Sequence, residues 1–196
     1  MDETTNIGTP AEDARRTRIL QGAKEAFLAY GFQRTTMDDI ARAAEISRPA
    51  LYLMFRNKTD IYRALAAGFV EEMISHARAT LSADGTLAER LETSIGSAID
   101  MHSDIEASPH GAEILDMKNS LAADIIAEWR SRMVDLVEAA IEAQQAGSTA
   151  PAVSARLLAI MLLDAIDGMK MRRLPVGEQR KTASAFIRVV TEAAGE

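Results

Sequence analysis

Apolar side chains recur every three or four positions along most of this chain, which is the spacing of helices with one buried face. No segment alternates between apolar and polar residues with the two-residue period of a strand. The pattern therefore predicts an all-helical protein of about nine helices. Residues 1–12 are polar and are expected to form a disordered tail. The first helix is predicted over residues 13–30, and Gly31 is expected to end it because glycine tolerates a left-handed C-cap.

The starts of the next three helices are predicted from residues that cap helix ends. Thr35 or Thr36 begins the second helix, because each has an aspartate three residues further on, as in a capping box. Ser47 suits the N-cap of a short third helix, and Pro49 fits its first turn, where no backbone N–H is needed. Asn57 is expected to cap a long fourth helix that ends near residue 81.

The second half of the chain is also predicted to be helical, but the residues that would begin and end its helices are less distinctive. They are predicted over residues 87–105, 108–117, 121–145, 151–172 and 177–194. A Gly-Ser-Thr sequence at residues 147–149 is expected to break the chain between two of them. The helix at 151–172 is apolar nearly all round, so it must bury one face in its own subunit and another face elsewhere. A monomer would expose that second face as an apolar patch of the kind that marks an interface.

The composition narrows the possible chemistry. With 47% hydrophobic and 26% charged residues, the chain can fold around a core and remain soluble. It has no cysteine, which excludes disulfides, cysteine-ligated zinc and thiol catalysis. The longest strongly apolar run, residues 157–163, is far shorter than the roughly 20 residues of a membrane-spanning helix. The polar N-terminus is no signal peptide, so a cytoplasmic location is expected.

Charge is distributed unevenly along the chain. The formal net charge of −7 would disfavour nucleic acid as a partner if it were uniform. Residues 14–63, however, carry ten Lys and Arg against five Asp and Glu, whereas residues 64–196 carry twelve against twenty. Phosphate contacts are local and are screened beyond about 10 Å. The basic segment therefore stays suited to nucleic acid although the rest of the chain is acidic.

The N-terminal turn of the predicted third helix has side chains that suit the major groove of DNA. It offers one hydroxyl, one long cation and two small side chains, in Ser47, Arg48, Pro49 and Ala50. An arginine can bind guanine through two hydrogen bonds, which discriminates between bases by about 1–3 kcal/mol. Tyr52 lies one turn on and can donate its hydroxyl to a phosphate. Each side chain alone would more simply be a solvated surface residue, and it is their joint spacing that favours contact with DNA.

Two further helix ends are candidate phosphate sites. Free N–H groups at a helix N-terminus bind phosphate. The second and fourth helices begin near Thr36 and Lys58, and these helix ends would bind backbone phosphates on either side of the groove. Lys58 adds a full positive charge at its helix end.

With these residues in place, the segment resembles the DNA-binding domain of the TetR family of bacterial transcriptional regulators. The residues that carry the resemblance are Gly31-Phe32, Thr35-Thr36, Ile40-Ala41, Ala44-Glu45-Ile46-Ser47, Leu51-Tyr52, Phe55 and Lys58. The chain departs from the family at Glu45 and Pro49, where glycine is common, and at Met54, where His or Tyr is common.

The resemblance implies a helix-turn-helix DNA-binding domain over residues 13–57 and an effector-binding and dimerisation domain over 58–196. The helix at 58–81 would link the two. The implied function is that of a homodimeric regulator and not of an enzyme, most simply a repressor that a small hydrophobic effector releases from a palindromic operator. The implied DNA-binding residues are Thr36, Met37, Ser47, Arg48, Pro49, Ala50, Tyr52, Leu53 and Lys58.

The resemblance also places the dimer interface on the last two helices. Its candidate residues are Leu158, Met161, Leu162, Ala165, Phe186 and Val190. A mainly apolar effector pocket is expected as well, because methionine adapts to irregular cavities and apolar ligands. Its candidate residues are Met101, His102, Ile105, Met117, Trp129, Met133 and Met169. Ordinary core filling remains the simpler explanation for any single methionine.

No metal and no cofactor is expected. Glu72 and His76 are four residues apart, as are Glu106 and His110, whereas a helical di-metal site uses Glu and His three apart. Two other classes of function stay open. One is an enzyme built on a helical bundle, which would need a cluster of reactive groups in the second domain. The other is a helical ligand-binding or protein-interaction module with a vestigial DNA domain, which a gel-shift experiment would distinguish.

Overall fold

The computed structural model describes residues 9–146 and 153–195 of the 196-residue chain. Within these ranges it contains helices and no strand, which confirms the all-helical prediction. The helices described there are α1 (Pro10–Tyr30), α2 (Met37–Ala43), α3 (Arg48–Met54), α4 (Lys58–Leu81), α5 (Leu87–Glu106), α6 (Gly111–Asp116), α7 (Lys118–Leu121), α8 (Ala123–Gln145), α9 (Ala155–Met171) and α10 (Val176–Ala194). None of these is long and apolar enough to cross a membrane.

The described residues form two compact units. The first unit contains the residues up to Gly68 together with Ile105–Ala123. The second unit contains Phe69–Asp104 and the described residues from Asp124 onwards. Helix α4 therefore contributes residues 58–68 to the first unit and 69–81 to the second.

Residues 105–123, predicted to lie in the second domain, belong to the first unit. The amide of His110 donates to the carbonyl of Leu28 on α1 at 3.1 Å. The hydroxyl of Tyr62 on α4 donates to the carbonyl of Ile114 at 2.8 Å. Such long-range contacts leave no local pattern in the sequence. The assignment of DNA binding and effector binding to separate domains stays a prediction.

Helix α1 begins three residues before its predicted start. Thr9 caps it: its hydroxyl accepts from the amide of Glu12 at 3.3 Å, and the Glu12 carboxylate accepts from the amide of Thr9 at 2.7 Å. The same backbone hydrogen bond lowers the pKa of Glu12. Pro10 occupies the first turn, where proline is favoured. The expected tail is thus wrong for residues 10–12, and residues 1–8 lie outside the described ranges.

The short helix predicted over residues 108–117 is two helices, α6 and α7. Gly111 begins α6 in tight contact with the end of α5, since a Cβ at this position would lie 1.7 Å from the carbonyl oxygen of Ile105. Only glycine fits such an approach of two backbones. Ser154 caps α9, its hydroxyl accepting from the amide of Leu157 at 3.4 Å. The predicted break at 147–149 and the predicted helix start at 151 lie outside the described residues.

The core of the first unit is built where α1, α2, α3 and the start of α4 meet. Its largest fully buried side chains are Ile19, Phe27, Ile40, Leu51 and Ile61. Close packing of α1 on the end of α2 depends on Gly22, where a Cβ would lie 2.9 Å from backbone atoms of residues 43 and 44.

Aromatic rings extend this core between α1 and α4. Phe32 contacts Phe27 at 5.2 Å between ring centroids and meets the ring of Tyr62 edge-on at 5.8 Å. Burial raises the pKa of Tyr62 to about 12. The Tyr62 hydroxyl donates to the carbonyl of Ile114, a hydrogen bond that only the neutral phenol can make.

The second unit has a larger and almost wholly apolar core. Helices α4, α5, α8, α9 and α10 contribute to it, and the fully buried residues include Leu87, Leu91, Ile99, Ile141 and Leu162. Salt bridges lie around it, among them Arg132 with Glu71 and Arg180 with Asp100. In each pair at least one side chain is about half exposed or more, so the pairs add little stability and apolar burial dominates in this unit.

Candidate nucleic-acid interface and ligand cavity

The helix-turn-helix begins at a capping box on Thr36. The Thr36 hydroxyl accepts from the amide of Asp39 at 3.2 Å, and the Asp39 carboxylate accepts from the Thr36 amide at 3.0 Å and from its hydroxyl at 2.6 Å. These bonds lower the pKa of Asp39. Thr35, the other candidate cap, is buried and donates its hydroxyl to the carbonyl of Gly31 at 2.8 Å.

Gly31 turns the chain between α1 and this cap. Its φ of 81° and ψ of 154° differ from the left-handed C-cap that the sequence predicted. That region of backbone space is accessible essentially to glycine alone. A Cβ here would also lie 2.9 Å from side-chain atoms of His110 and Glu113.

The turn between α2 and α3 holds a non-glycine residue in a left-handed conformation. Glu45 has a φ of 54°, which costs an L-residue about 1–2 kcal/mol. The amide of Ile46 closes the turn on the carbonyl of Ala41 at 3.0 Å. Glycine would adopt this left-handed backbone conformation without strain, whereas Glu45 adopts it at a cost in folding free energy.

Helix α3 presents an exposed face next to its capped start. Ser47 accepts from the amide of Ala50 at 3.3 Å, as predicted for an N-cap. Leu51 is fully buried beneath the helix, whereas Leu53 is 85% exposed and Tyr52 is 42% exposed. An exposed apolar side chain beside a tyrosine can contact thymine methyl groups and phosphates. Pro49 is also exposed, and Ala50 and the α2 residue Met37 are half-buried.

Arg48 already has partners in the free protein. Its Nη1 donates to the Asp38 carboxylate at 3.0 Å, and its guanidinium lies 5.6 Å from the centre of the Tyr52 ring. Hydrogen bonding to Tyr52, followed by the charge of Asp38, raises the pKa of Arg48. Because both members of the ion pair are more than half exposed, the pair is weak. If Arg48 contacted a base, guanine would replace Asp38 as the hydrogen-bond partner of its guanidinium.

Lys58 lies at the predicted helix start, but its ammonium is directed into the protein. Its Nζ donates to the carbonyls of Phe32, Gln33 and Thr35 at 2.8, 3.0 and 3.2 Å, and it lies 4.6 Å from the centre of the Phe32 ring. An ammonium has three donors, so these contacts use all of them. The predicted phosphate contact would require Lys58 to release the loop that leads to Thr36.

Other cations stand at the surface of the same unit. Arg34 is exposed in the loop before Thr36, and Arg42 is exposed at the end of α2. Arg16 on α1 is exposed and lies 4.9 Å from the ring centre of Phe55. Arg16, Arg34 and Arg42 belong to no motif in the sequence and are not among the predicted DNA-binding residues.

A cavity in the second unit contains part of the predicted effector pocket. The residues that line it are Met73, His76, Ala77, Ser94, Ile95, Ala98, Met101, Trp129, Met133, Leu163, Ile166, Asp167 and Lys170. Three predicted residues, Met101, Trp129 and Met133, are among them. The indole Nε1 of Trp129 is buried without a hydrogen-bond partner among the described residues.

The other predicted pocket residues lie elsewhere. Met169 is buried in the core of the second unit, and His102 is not part of the cavity lining. Ile105 and Met117 belong to the first unit. No group of three or more His, Asp or Glu side chains within the described ranges is placed to hold a metal ion.

The predicted dimer residues divide into two sets. Leu158, Leu162 and Val190 are at most 5% exposed inside their own unit, which leaves them little surface for a partner, and their place in an interface stays a prediction. Met161 is 53% exposed, and Ala165 and Phe186 are half-buried. The exposed apolar residues on α9 and α10 are instead Leu157, Met161, Met171 and Val189. Because α9 is apolar nearly all round, the sequence alone does not show which of its faces packs against its own unit.

Comparisons with known proteins agree with this geometry. The family described as "Bacterial regulatory proteins, tetR family" matches residues 19–65. The HTH-type transcriptional activator FasR of Mycolicibacterium smegmatis is 32% identical over 88 residues, which cover 45% of this chain and 40% of FasR. The chain thus spans less than half the length of that relative. An HTH-type transcriptional repressor of Mycobacterium tuberculosis is 27% identical over 187 residues, 90% of this chain and 91% of the repressor.

A solved structure extends the likeness to the whole fold. The repressor SmeT, of the Stenotrophomonas maltophilia multidrug efflux pump SmeDEF, has a TM-score of 0.70 at 18% identity, over 91% of this chain and 89% of SmeT. SmeT has also been solved as a complex with triclosan.

Proposed function

We propose that the chain, whose residues 19–65 match the model of the tetR family of bacterial regulatory proteins, is a DNA-binding transcriptional regulator and not an enzyme. In this proposal it works in the cytoplasm as a homodimer, whose two α3 helices enter successive major grooves of a palindromic operator. One observation carries the proposal: the capped start of α3 presents Arg48, Tyr52 and Leu53 to solvent while Leu51 anchors the helix from beneath.

The charge distribution supports contact with DNA on this side of the molecule. The cations Arg16, Arg34, Arg42 and Arg48 are exposed in the first unit, and residues 14–63 are basic within an acidic chain. The charge at Lys58 contributes differently in this proposal. It fixes the loop before α2, and thereby holds the Thr36 cap in position for phosphate.

The proposed mode of action is repression relieved by an effector. The relative that aligns along nearly the whole chain is named a repressor, and this favours repression over the activation named for FasR. The cavity in the second unit is the proposed effector site. An effector that binds the DNA-free form more tightly lowers operator affinity by the ratio of its two affinities.

Selection of bound DNA from a random pool tests this function. We expect a palindromic consensus, and we expect Arg48→Ala to weaken binding to it by roughly 5- to 150-fold while leaving binding to random DNA nearly unchanged. Arg180→Ala is the matched control, because Arg180 is an exposed, ion-paired arginine of the second unit. No enrichment of any sequence would contradict the proposal and favour the second candidate, a helical ligand-binding module without DNA recognition.

A further inference from the structure

The arginine at the start of α3 is paired with a carboxylate that is not among the predicted DNA-binding residues. Asp38 on α2 accepts a hydrogen bond from Arg48 Nη1 at 3.0 Å, and both side chains are more than half exposed. An ion pair with this exposure adds little to stability. The stability of the fold therefore gives little reason for a carboxylate at this position.

The neighbouring carboxylate has a different role. Asp39 accepts from the amide and from the hydroxyl of Thr36 at 3.0 and 2.6 Å, and it lies 3.7 Å from Arg42 Nη1. The capping box of α2 is thus complete without Asp38. The Asp38 carboxylate instead contacts the guanidinium of Arg48, at the exposed start of α3.

Binding to an operator would separate this pair. If Arg48 donates to a guanine, the Asp38 carboxylate loses its donor at a surface that faces DNA phosphates. A carboxylate that is covered without a donor costs free energy, because it has given up its hydration. The major groove offers a suitable donor in the N4 amino group of cytosine, whereas adenine presents its amino group beside the acceptor N7. Cytosine can therefore replace arginine as the donor to Asp38.

Resting on the proposed entry of α3 into the major groove, we propose that Asp38 is a second base-reading residue, which selects cytosine. Its carboxylate accepts a hydrogen bond from cytosine N4 while Arg48 donates to guanine. The two charged groups are 3.0 Å apart in the free protein, and successive base pairs are about 3.4 Å apart. The cytosine is therefore assigned to a base pair next to that of the guanine. A thymine there would present the acceptor O4 to the carboxylate and would be rejected.

Operators selected from a random DNA pool test this assignment. Arg48→Ala identifies the guanine, because that preference is the one it loses. We expect the unaltered protein to select a cytosine in an adjacent base pair. Replacing that cytosine–guanine pair by thymine–adenine should weaken its binding about 5- to 150-fold, but should weaken binding of Asp38→Ala by less than about twofold. No cytosine in either adjacent base pair, or equal losses in both proteins, would overturn the proposal.

Two further variants separate base reading from other effects of the charge. Asp60→Ala is the matched control, because Asp60 accepts from Arg56 Nε at 3.0 Å in the same unit. It should alter affinity for all sequences alike and keep the cytosine preference. Asp38→Asn keeps the size of the side chain, and its amide should let adenine replace cytosine. This change of preference gives a second measurement if Asp38→Ala fails to fold.

The same measurements keep this inference distinct from the proposed function. If Asp38 only held Arg48 in place, Asp38→Ala would weaken the preference for guanine and keep that for cytosine, which would contradict base reading by Asp38 and leave DNA recognition intact. Failure of the unaltered protein to enrich any sequence would contradict both proposals.

Discussion

The two units differ in the kind of contact that stabilises each of them internally. In the first unit, polar side chains fix the backbone: Thr35, Lys58 and Tyr62 each donate to a main-chain carbonyl of that unit. In the second unit, the described core is apolar and includes Met133 and Met169. Hydrogen bonds to fixed carbonyls tolerate little displacement, whereas methionine packing adapts to its surroundings. The contrast suits the proposed DNA-binding surface of the first unit and the proposed effector cavity of the second.

Removing apolar volume should harm the second unit most. Leu162→Ala deletes a fully buried side chain, and we expect the free energy of unfolding to fall by about 2–5 kcal/mol. Met161→Ala alters the exposed neighbour, so protomer stability should change by less than about 0.5 kcal/mol. Chemical denaturation measures both variants. Equal losses would contradict the assignment of the two faces of α9.

Met161 also tests the proposed dimer. If the exposed stripe on α9 forms the interface, Met161→Ala raises the dimer dissociation constant in analytical ultracentrifugation. Leu162→Ala, at concentrations where it remains folded, should raise it less.

Adding a single methyl group should harm the first unit. Gly22→Ala would place a Cβ 2.9 Å from the backbone of α2, and overpacking of this kind costs about 1–3 kcal/mol. Gly68→Ala is the control in α4, because nothing lies within 4 Å of its added Cβ. There the expected change is a gain of about 1 kcal/mol from helix propensity. Local hydrogen exchange in α1 and α2 distinguishes the two results.

Lys58 distinguishes fixing the backbone from touching DNA. Lys58→Met removes the donors to three carbonyls, and we expect the first unit to lose about 1–3 kcal/mol of stability. Operator affinity should fall because the Thr36 cap loosens, while the dependence of affinity on salt keeps its slope. A slope smaller by about one phosphate contact would instead identify Lys58 as a direct contact. Lys24→Met, on the exposed face of α1, is the control.

The smallest expected effect concerns the turn before α3. Glu45→Gly relieves a left-handed conformation at a non-glycine residue and should raise stability by up to about 1 kcal/mol. Thermal unfolding followed by circular dichroism measures the change. Glu45→Ala keeps the Cβ and should bring no such gain, so an equal rise in both variants would point to the loss of charge as the cause.

How far the sequence predicts this protein depends on how local each signal is. The caps at Thr36, Ser47 and Asn57 follow from residues three positions apart, and the structure has all three. The cap at Thr9 has the same local signal but lies in a polar stretch that resembles a tail. The carbonyl partners of Lys58 are 23 to 26 residues away in the chain, so no periodicity reveals them.

The second unit was harder to predict for a related reason. The buried and exposed faces of α9 are both apolar, so Leu162 and Met161 look alike in the sequence. Only the packing of α9 and α10 separates them. Trp129 is predicted as a pocket residue from its type, whereas the absence of a hydrogen-bond partner for its indole N–H among the described residues depends on how the folded chain packs.

The exposure of Leu53 has a thermodynamic consequence. In the free protein this side chain at the tip of α3 is surrounded by water. Covering it on an operator removes apolar surface from water, which gives binding a negative heat-capacity change. The enthalpy of operator binding would then become more favourable as temperature rises, and Leu53 would contribute to that trend without forming a hydrogen bond to any base.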